Sequence, residues 1–169
     1  MNKFLKIMYW LIFVFYAALL VDTVFLARGE LRSVNLVPFR MILDNINFDN
    51  GARTQLVGMN VWGNILMFIP AGIYAMVHSK SGSYFKGFVM ILSFSVGIEL
   101  IQYAFAIGAT DIDDLILNGL GGAIGLAVFA AFRKIFKSRE KVKNAIAVLS
   151  SIVGIPVFVL TLILVIVNY

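Results

Sequence analysis

Cysteine is absent from the chain. That excludes disulfides, thiolate metal sites and cysteine nucleophiles. Histidine occurs once, as His78 in an expected inner loop, where no role is assigned to it. No nucleophilic triad signature accompanies it. Charge is scarce as well: 14% of residues are charged and 61% are hydrophobic, whereas soluble domains run near 25% and 45–50%. A water-soluble fold of this size has no way to bury that much apolar surface, so lipid must solvate much of it. At about 20 residues per span, 169 residues provide for five or six spans. No room is left for a second, soluble domain.

Five apolar segments are present: Ile7–Ala27, interrupted by Asp22 and Thr23, then Met59–Val77, Gly87–Ile107, Leu115–Phe132 and Ala145–Val167. Each is long enough for a helix to cross about 30 Å of hydrocarbon. The runs are continuous and do not alternate, which argues against barrel strands. The expected fold is all-α: a polytopic transmembrane helical bundle of about five spans, with an outer interfacial loop or short helix after the first. Residues 1–135 are read as one transmembrane domain, and 136–169 as a basic cytoplasmic loop followed by the fifth span. The first segment has the basic start of a signal peptide in Lys3 and Lys6. Its apolar core exceeds the usual 7–15 residues and no small-x-small site follows, so it is read as an anchor.

The lysines and arginines orient the chain. With the N-terminus cytoplasmic, Lys3, Lys6, Lys80, Lys86, Arg133, Lys134, Lys137, Arg139, Lys141 and Lys143 lie inside, and Arg28, Arg32, Arg40 and Arg53 outside. The bias is ten to four, and of the acids only Glu140 lies in an inside loop. The C-terminus is then outside. The basic run from Arg133 to Lys143 is a topology signal and a patch for anionic lipid, which accounts for the net charge of +5 without nucleic acid.

One loop is long, from Arg28 to Gly58. Loops of such length are often functional. Within it, Asn35-Leu36-Val37-Pro38-Phe39 followed by Met41, Ile42, Leu43 and Ile46 predicts a short interfacial helix, with Pro38 in its first turn. Asn45, Asn47 and Asp49 have the spacing of the first calcium-loop ligands, but the glycine comes one place late and Leu56 stands where an acid is needed. The stretch is read as a turn.

Ionisable residues inside a span are costly and usually functional. Glu99 lies about 12 Å from the outer end of the third segment at 1.5 Å per residue. Ser95 and Gln102 share its helical face. Asn60 and Asn64 form an i,i+4 pair early in the second segment, and Asp114 and Asn118 share a face with Asp111 at the start of the fourth. Because successive helices alternate in direction, all of these polar residues fall at one end of the bundle, whichever face that is. Gly121 and Gly125 form a small-xxx-small pair for close packing, and Pro70 and Gly72 permit a kink in the second segment. The bland alternatives are interhelical hydrogen-bond glue for the amides and helix-start chemistry for the aspartates. One acid would suffice for a cap, and three lie at Asp111, Asp113 and Asp114. Asp22 has Arg28 as a simple pairing partner.

Four blocks together closely resemble the VanZ-like family in order and spacing: Asn35 to Phe39, Asn64 to Gly72, Glu99 to Gln102, and Asp111 to Asn118 with Gly121-Gly122. The resemblance covers roughly residues 1–135, and the fifth segment looks like an extension. It implies a bacterial plasma-membrane protein. The family takes its name from a member linked to resistance to teicoplanin, a lipidated glycopeptide. Many members carry an arginine just before the acidic block. Here Ala109 and Thr110 follow Gly108, so positive charge must come from Arg32, Arg40 or Arg53.

The expected binding residues are Asn35, Arg40, Asn64, Glu99, Gln102, Asp111, Asp113, Asp114 and Asn118. Three readings follow. In the first, the protein acts at the outer leaflet on lipoglycopeptide susceptibility or on lipid-linked wall precursors, with membrane lipid and a lipidated or lipid-linked glycopeptide as partners. In the second, it is an enzyme on a lipid-linked substrate. Glu99, Asp111 and Asp114 would then hold Mg²⁺ through hard oxygen ligands, or Glu99, its pKa raised by desolvation, would serve as general acid or base. In the third, it is a structural partner of another membrane protein, docking through Gly121 and Gly125.

Overall fold

The structure, a computed structural model, describes residues 1–26, 33–40, 43, 51–107 and 109–168, with backbone alone for most of 51–59. In chain order the described elements are α1 (Lys3–Val21), a π-helical segment (Asp22–Leu26), β1 (Ser33–Asn35), α2 (Gly51–His78), α3 (Tyr84–Phe105), β2 (Ala109–Asp111), α4 (Ile112–Phe136) and α5 (Arg139–Asn168). Five helices among the described residues are long and apolar enough to cross a membrane. The expected all-α transmembrane architecture is therefore present, and β1 and β2 form only a three-residue parallel bridge.

The apolar runs locate the helices, and local chemistry sets several ends. Asn2 caps α1 by accepting from the Leu5 N–H at 2.8 Å. Ser83 caps α3 in the same way through the Lys86 N–H at 3.3 Å. At the other end of α3, Ala106 adopts the left-handed conformation that terminates helices. The expected boundaries need three corrections. First, α2 begins at Gly51, well before the apolar run at Met59. Second, Asp113 and Asp114 belong to the first turn of α4 and do not precede it. Third, the basic stretch after residue 132 is not an extended loop. Helix α4 continues to Phe136 and α5 starts at Arg139, leaving only Lys137 and Ser138 between them. Lysine, arginine and glutamate are good helix formers, and a helix does not end where hydrocarbon does.

The described chain divides into two compact units, Met1–Thr23 with Ala131–Tyr169, and Val24–Ala130. In the first, α1 and α5 pack in parallel. Phe15 meets Phe158 edge to face with ring centroids 5.1 Å apart, and a Cβ at Gly154 would meet Ile12 Cγ2 at 2.6 Å. Val142, Ile146 and Ala147 are buried in this unit, while most of α5 beyond Ser151 presents apolar side chains outward, as a lipid-solvated helix does.

In the second unit α2 and α4 run in parallel with their backbones in contact. A Cβ on Gly121 would strike the Ile65 carbonyl oxygen, and one on Gly125 would lie 2.9 Å from Gly72 Cα. The antiparallel α3 lies against both. Ile91 fills the space over Gly122 and Leu92 that over Gly119, and Phe68 on α2 faces Phe94 with centroids 6.2 Å apart. Small residues let backbones approach closely where lipid offers no hydrophobic drive for helices to associate. Gly121 and Gly125 are thus consumed inside the chain. They face Ile65, Ile69 and Gly72 of α2, not an open surface.

Candidate functional site

The close approach of α2, α3 and α4 brings together polar side chains from the first turns of α4, the middle of α2 and the second half of α3. Ser95, Glu99 and Gln102 on α3, Asn64 on α2, and Asp113, Asp114 and Asn118 on α4 are all buried. Their shared faces follow from the i,i+3 and i,i+4 spacings. Asn60 is the exception: it is exposed and stands outside the group. A helix turns about 100° per residue, and the step from Asn64 back to Asn60 carries it past the edge of the contact.

Each aspartate has its own task. Asp111 is the cap of α4: its Oδ1 accepts the Asp113 N–H at 2.9 Å. The same oxygen accepts Asn35 Nδ2 at 3.0 Å. Asp113, with no exposed surface, accepts the backbone N–H of Phe39. Asp114 accepts Asn64 Nδ2 from α2. Capping therefore explains only Asp111, and the other two acids join α4 to the Asn35–Arg40 loop and to α2.

Glu99 holds the turn that leads into α4. Its Oε2 accepts the Asp111 N–H at 3.0 Å, and its backbone oxygen accepts Thr110 Oγ1 at 3.5 Å. Asn118 Nδ2 donates to Ser95 Oγ at 2.9 Å. Gln102 Nε2 donates at 3.0 Å to the backbone carbonyl of Val24, in the π-helical segment. Such segments often mark functional positions. The acceptor oxygens of Gln102 and Asn118 are buried without a hydrogen-bond partner among the described residues.

The loop above these helix ends is stitched down at two points. The bridge pairs Ser33 with Ala109, Val34 with Thr110 and Asn35 with Asp111. Asn35 Oδ1 also accepts the Val37 N–H at 3.2 Å, forming a turn. Phe39 then adopts φ 64°, a left-handed backbone that costs a non-glycine residue about 1–2 kcal/mol. The Asp113 carboxylate offsets that by holding its N–H. With the backbone pinned below, Leu36, Val37, Phe39 and Arg40 are exposed above. Among the described residues the Arg40 guanidinium pairs with no carboxylate. The Leu43 N–H bonds the Phe39 carbonyl at 2.8 Å, closing one helical turn after Pro38.

Of the expected site residues, the structure joins Asn35, Asn64, Glu99, Asp111, Asp113 and Asp114 through hydrogen bonds among themselves or to the loop backbone. Gln102 and Asn118 are buried on the same helices but bond elsewhere, and Arg40 is outward. Arg28, Arg32, the side chain of Arg53, most of the expected interfacial helix and the expected Asp44–Gly51 turn, except Gly51 itself, lie outside the described residues. Asp22 is exposed. Among the described residues no three acids group closely enough to hold a metal ion. The arrangement is suited to fixing a loop over a membrane-embedded scaffold. Sequence reasoning missed the β1–β2 bridge, Thr110 and the Phe39 N–H. Three-residue strands show no periodicity, and a backbone donor carries no residue signature.

The family model VanZ/LLP1 matches residues 4–137. Protein VanZ of Enterococcus faecium is 33% identical over 132 residues, which are 78% of this chain and 71% of that protein. No solved structure matches the chain. The match spans α1 to the end of α4 and includes every residue of the polar network, so this multi-pass membrane protein belongs to the VanZ/LLP1 family.

Proposed function

We propose that this protein acts at the outer leaflet of a bacterial plasma membrane, where the loop from Asn35 to Arg40 meets lipidated glycopeptides or the lipid-linked wall precursors they bind. The carrying observation is the way the loop is held. Asn35 and the Phe39 N–H bond downward to Asp111 and Asp113, and Leu36, Val37, Phe39 and Arg40 face outward. An apolar patch with a cation at headgroup depth suits an amphiphile with an acyl chain and an anionic or polar head. The ten-to-four bias of lysine and arginine supports placing this loop outside, with the N-terminus cytoplasmic and the C-terminus outside. Family membership supports teicoplanin as the relevant ligand type.

A metal-dependent reaction at Glu99, Asp111 and Asp114 has less support. One oxygen of each already accepts an N–H donor within the chain, and no three-acid group occurs among the described residues.

The test is expression in a glycopeptide-sensitive Gram-positive host, with teicoplanin and vancomycin susceptibility measured side by side. Teicoplanin susceptibility is expected to fall while vancomycin susceptibility, which involves no acyl chain, stays unchanged. Equal shifts, or none, would contradict the reading.

A further inference from the structure

The two-residue link between α4 and α5 creates a feature that the proposed function does not use. An open groove of about 500 Å³ runs between the C-terminal end of α4 and the first turns of α5. Phe132, Phe136, Val148 and Leu149 form its apolar walls, and Lys141 and Asn144 are the polar residues that line it. Its volume falls in the range of ligand clefts. Six bases and one acid lie between Arg133 and Lys143. The acid, Glu140, is already engaged, since its Oε1 accepts the Met1 ammonium at 2.8 Å. Arg133, Lys134, Lys137, Lys141 and Lys143 pair with no carboxylate among the described residues.

We propose that this groove is a binding site for an anionic glycerophospholipid, such as phosphatidylglycerol. An acyl chain fills the apolar walls. The phosphate meets Lys141 near the N-terminus of α5, where the helix dipole also favours negative charge. A zwitterionic lipid fills the walls equally well but gains no net attraction from the surrounding bases. Under the proposed topology the leaflet is the inner one, although the groove and its charge stand without that assignment.

The experiment is native mass spectrometry of the full chain in detergent, with equimolar phosphatidylglycerol and phosphatidylcholine of identical acyl chains. Wild type is expected to retain phosphatidylglycerol preferentially. Lys141→Gln should reduce that retention about fivefold, the equivalent of roughly 1 kcal/mol for one surface cation. Lys134→Gln, an exposed charge that does not line the groove, should reduce it less. Equal retention of the two lipids by wild type would overturn the proposal. So would equal losses from the two substitutions, which would leave only diffuse surface charge.

Discussion

Gly121→Val is expected to leave almost no folded protein in the membrane, whereas Gly97→Val is expected to leave yield unchanged. The difference is geometric. A Cβ at Gly121 would meet the carbonyl of Ile65, a backbone atom that no rotamer change can move, and a Cβ at Gly97 meets nothing within 4 Å. Overpacking a flexible core costs about 1–3 kcal/mol. Here the α2 and α4 backbones must separate, and every polar contact between them is lost with the packing. Asn64 would leave Asp114, exposing a buried acid to hydrocarbon without that partner. The measurement is the monodisperse fraction after detergent extraction and size-exclusion chromatography. A normal profile for Gly121→Val would show that the α2–α4 contact is not as close as described.

Asp113→Ala is expected to be the most damaging substitution within the polar network. The side chain has no exposed surface and accepts the N–H of a residue held at positive φ. Removing the acceptor leaves a donor unsatisfied, at about 1–3 kcal/mol, and among the described hydrogen bonds the Phe39 backbone then keeps the one its carbonyl accepts from the Leu43 N–H. The thermal midpoint in detergent should drop by roughly 5 °C, by the scaling for a chain of this size. Asp113→Asn should drop it less, because an amide oxygen still accepts the same N–H. If the loop carries function, the alanine variant should also lose the teicoplanin phenotype before it loses expression. Equal midpoints for the alanine variant and wild type would mean that the loop is held by other contacts.

The sequence makes the buried side of this account legible and its surface side much less so. Glu99, Ser95 and Gln102 are recognisable as one helical face because polarity inside an apolar run is conspicuous and helical spacing is regular. All three are buried as that spacing requires. The glycine contact is legible as a motif, but its partner is not. Gly121 and Gly125 face Ile65, Ile69 and Gly72, and nothing in the two glycines distinguishes a neighbour in the same chain from another protein. Helix ends are misplaced wherever a helix outruns the hydrocarbon, at Gly51 and through Arg133 to Phe136. Hydropathy reports the solvent, whereas the backbone continues as long as its residues tolerate a helix. The division of labour among Asp111, Asp113 and Asp114 is the least legible feature. It depends on a parallel bridge between segments 76 residues apart, Asn35 and Asp111, and on a backbone donor at Phe39.

The central claim is that the polar network and the loop above it face the outside of the cell. The absence of native cysteine makes that directly measurable. Leu36→Cys and Lys141→Cys, both at exposed positions, are each treated in intact cells with a membrane-impermeant maleimide. The account predicts labelling of Leu36→Cys in intact cells, and of Lys141→Cys only after permeabilisation. Labelling of Lys141→Cys in intact cells, with Leu36→Cys protected until the membrane is opened, would invert the topology and contradict the claim.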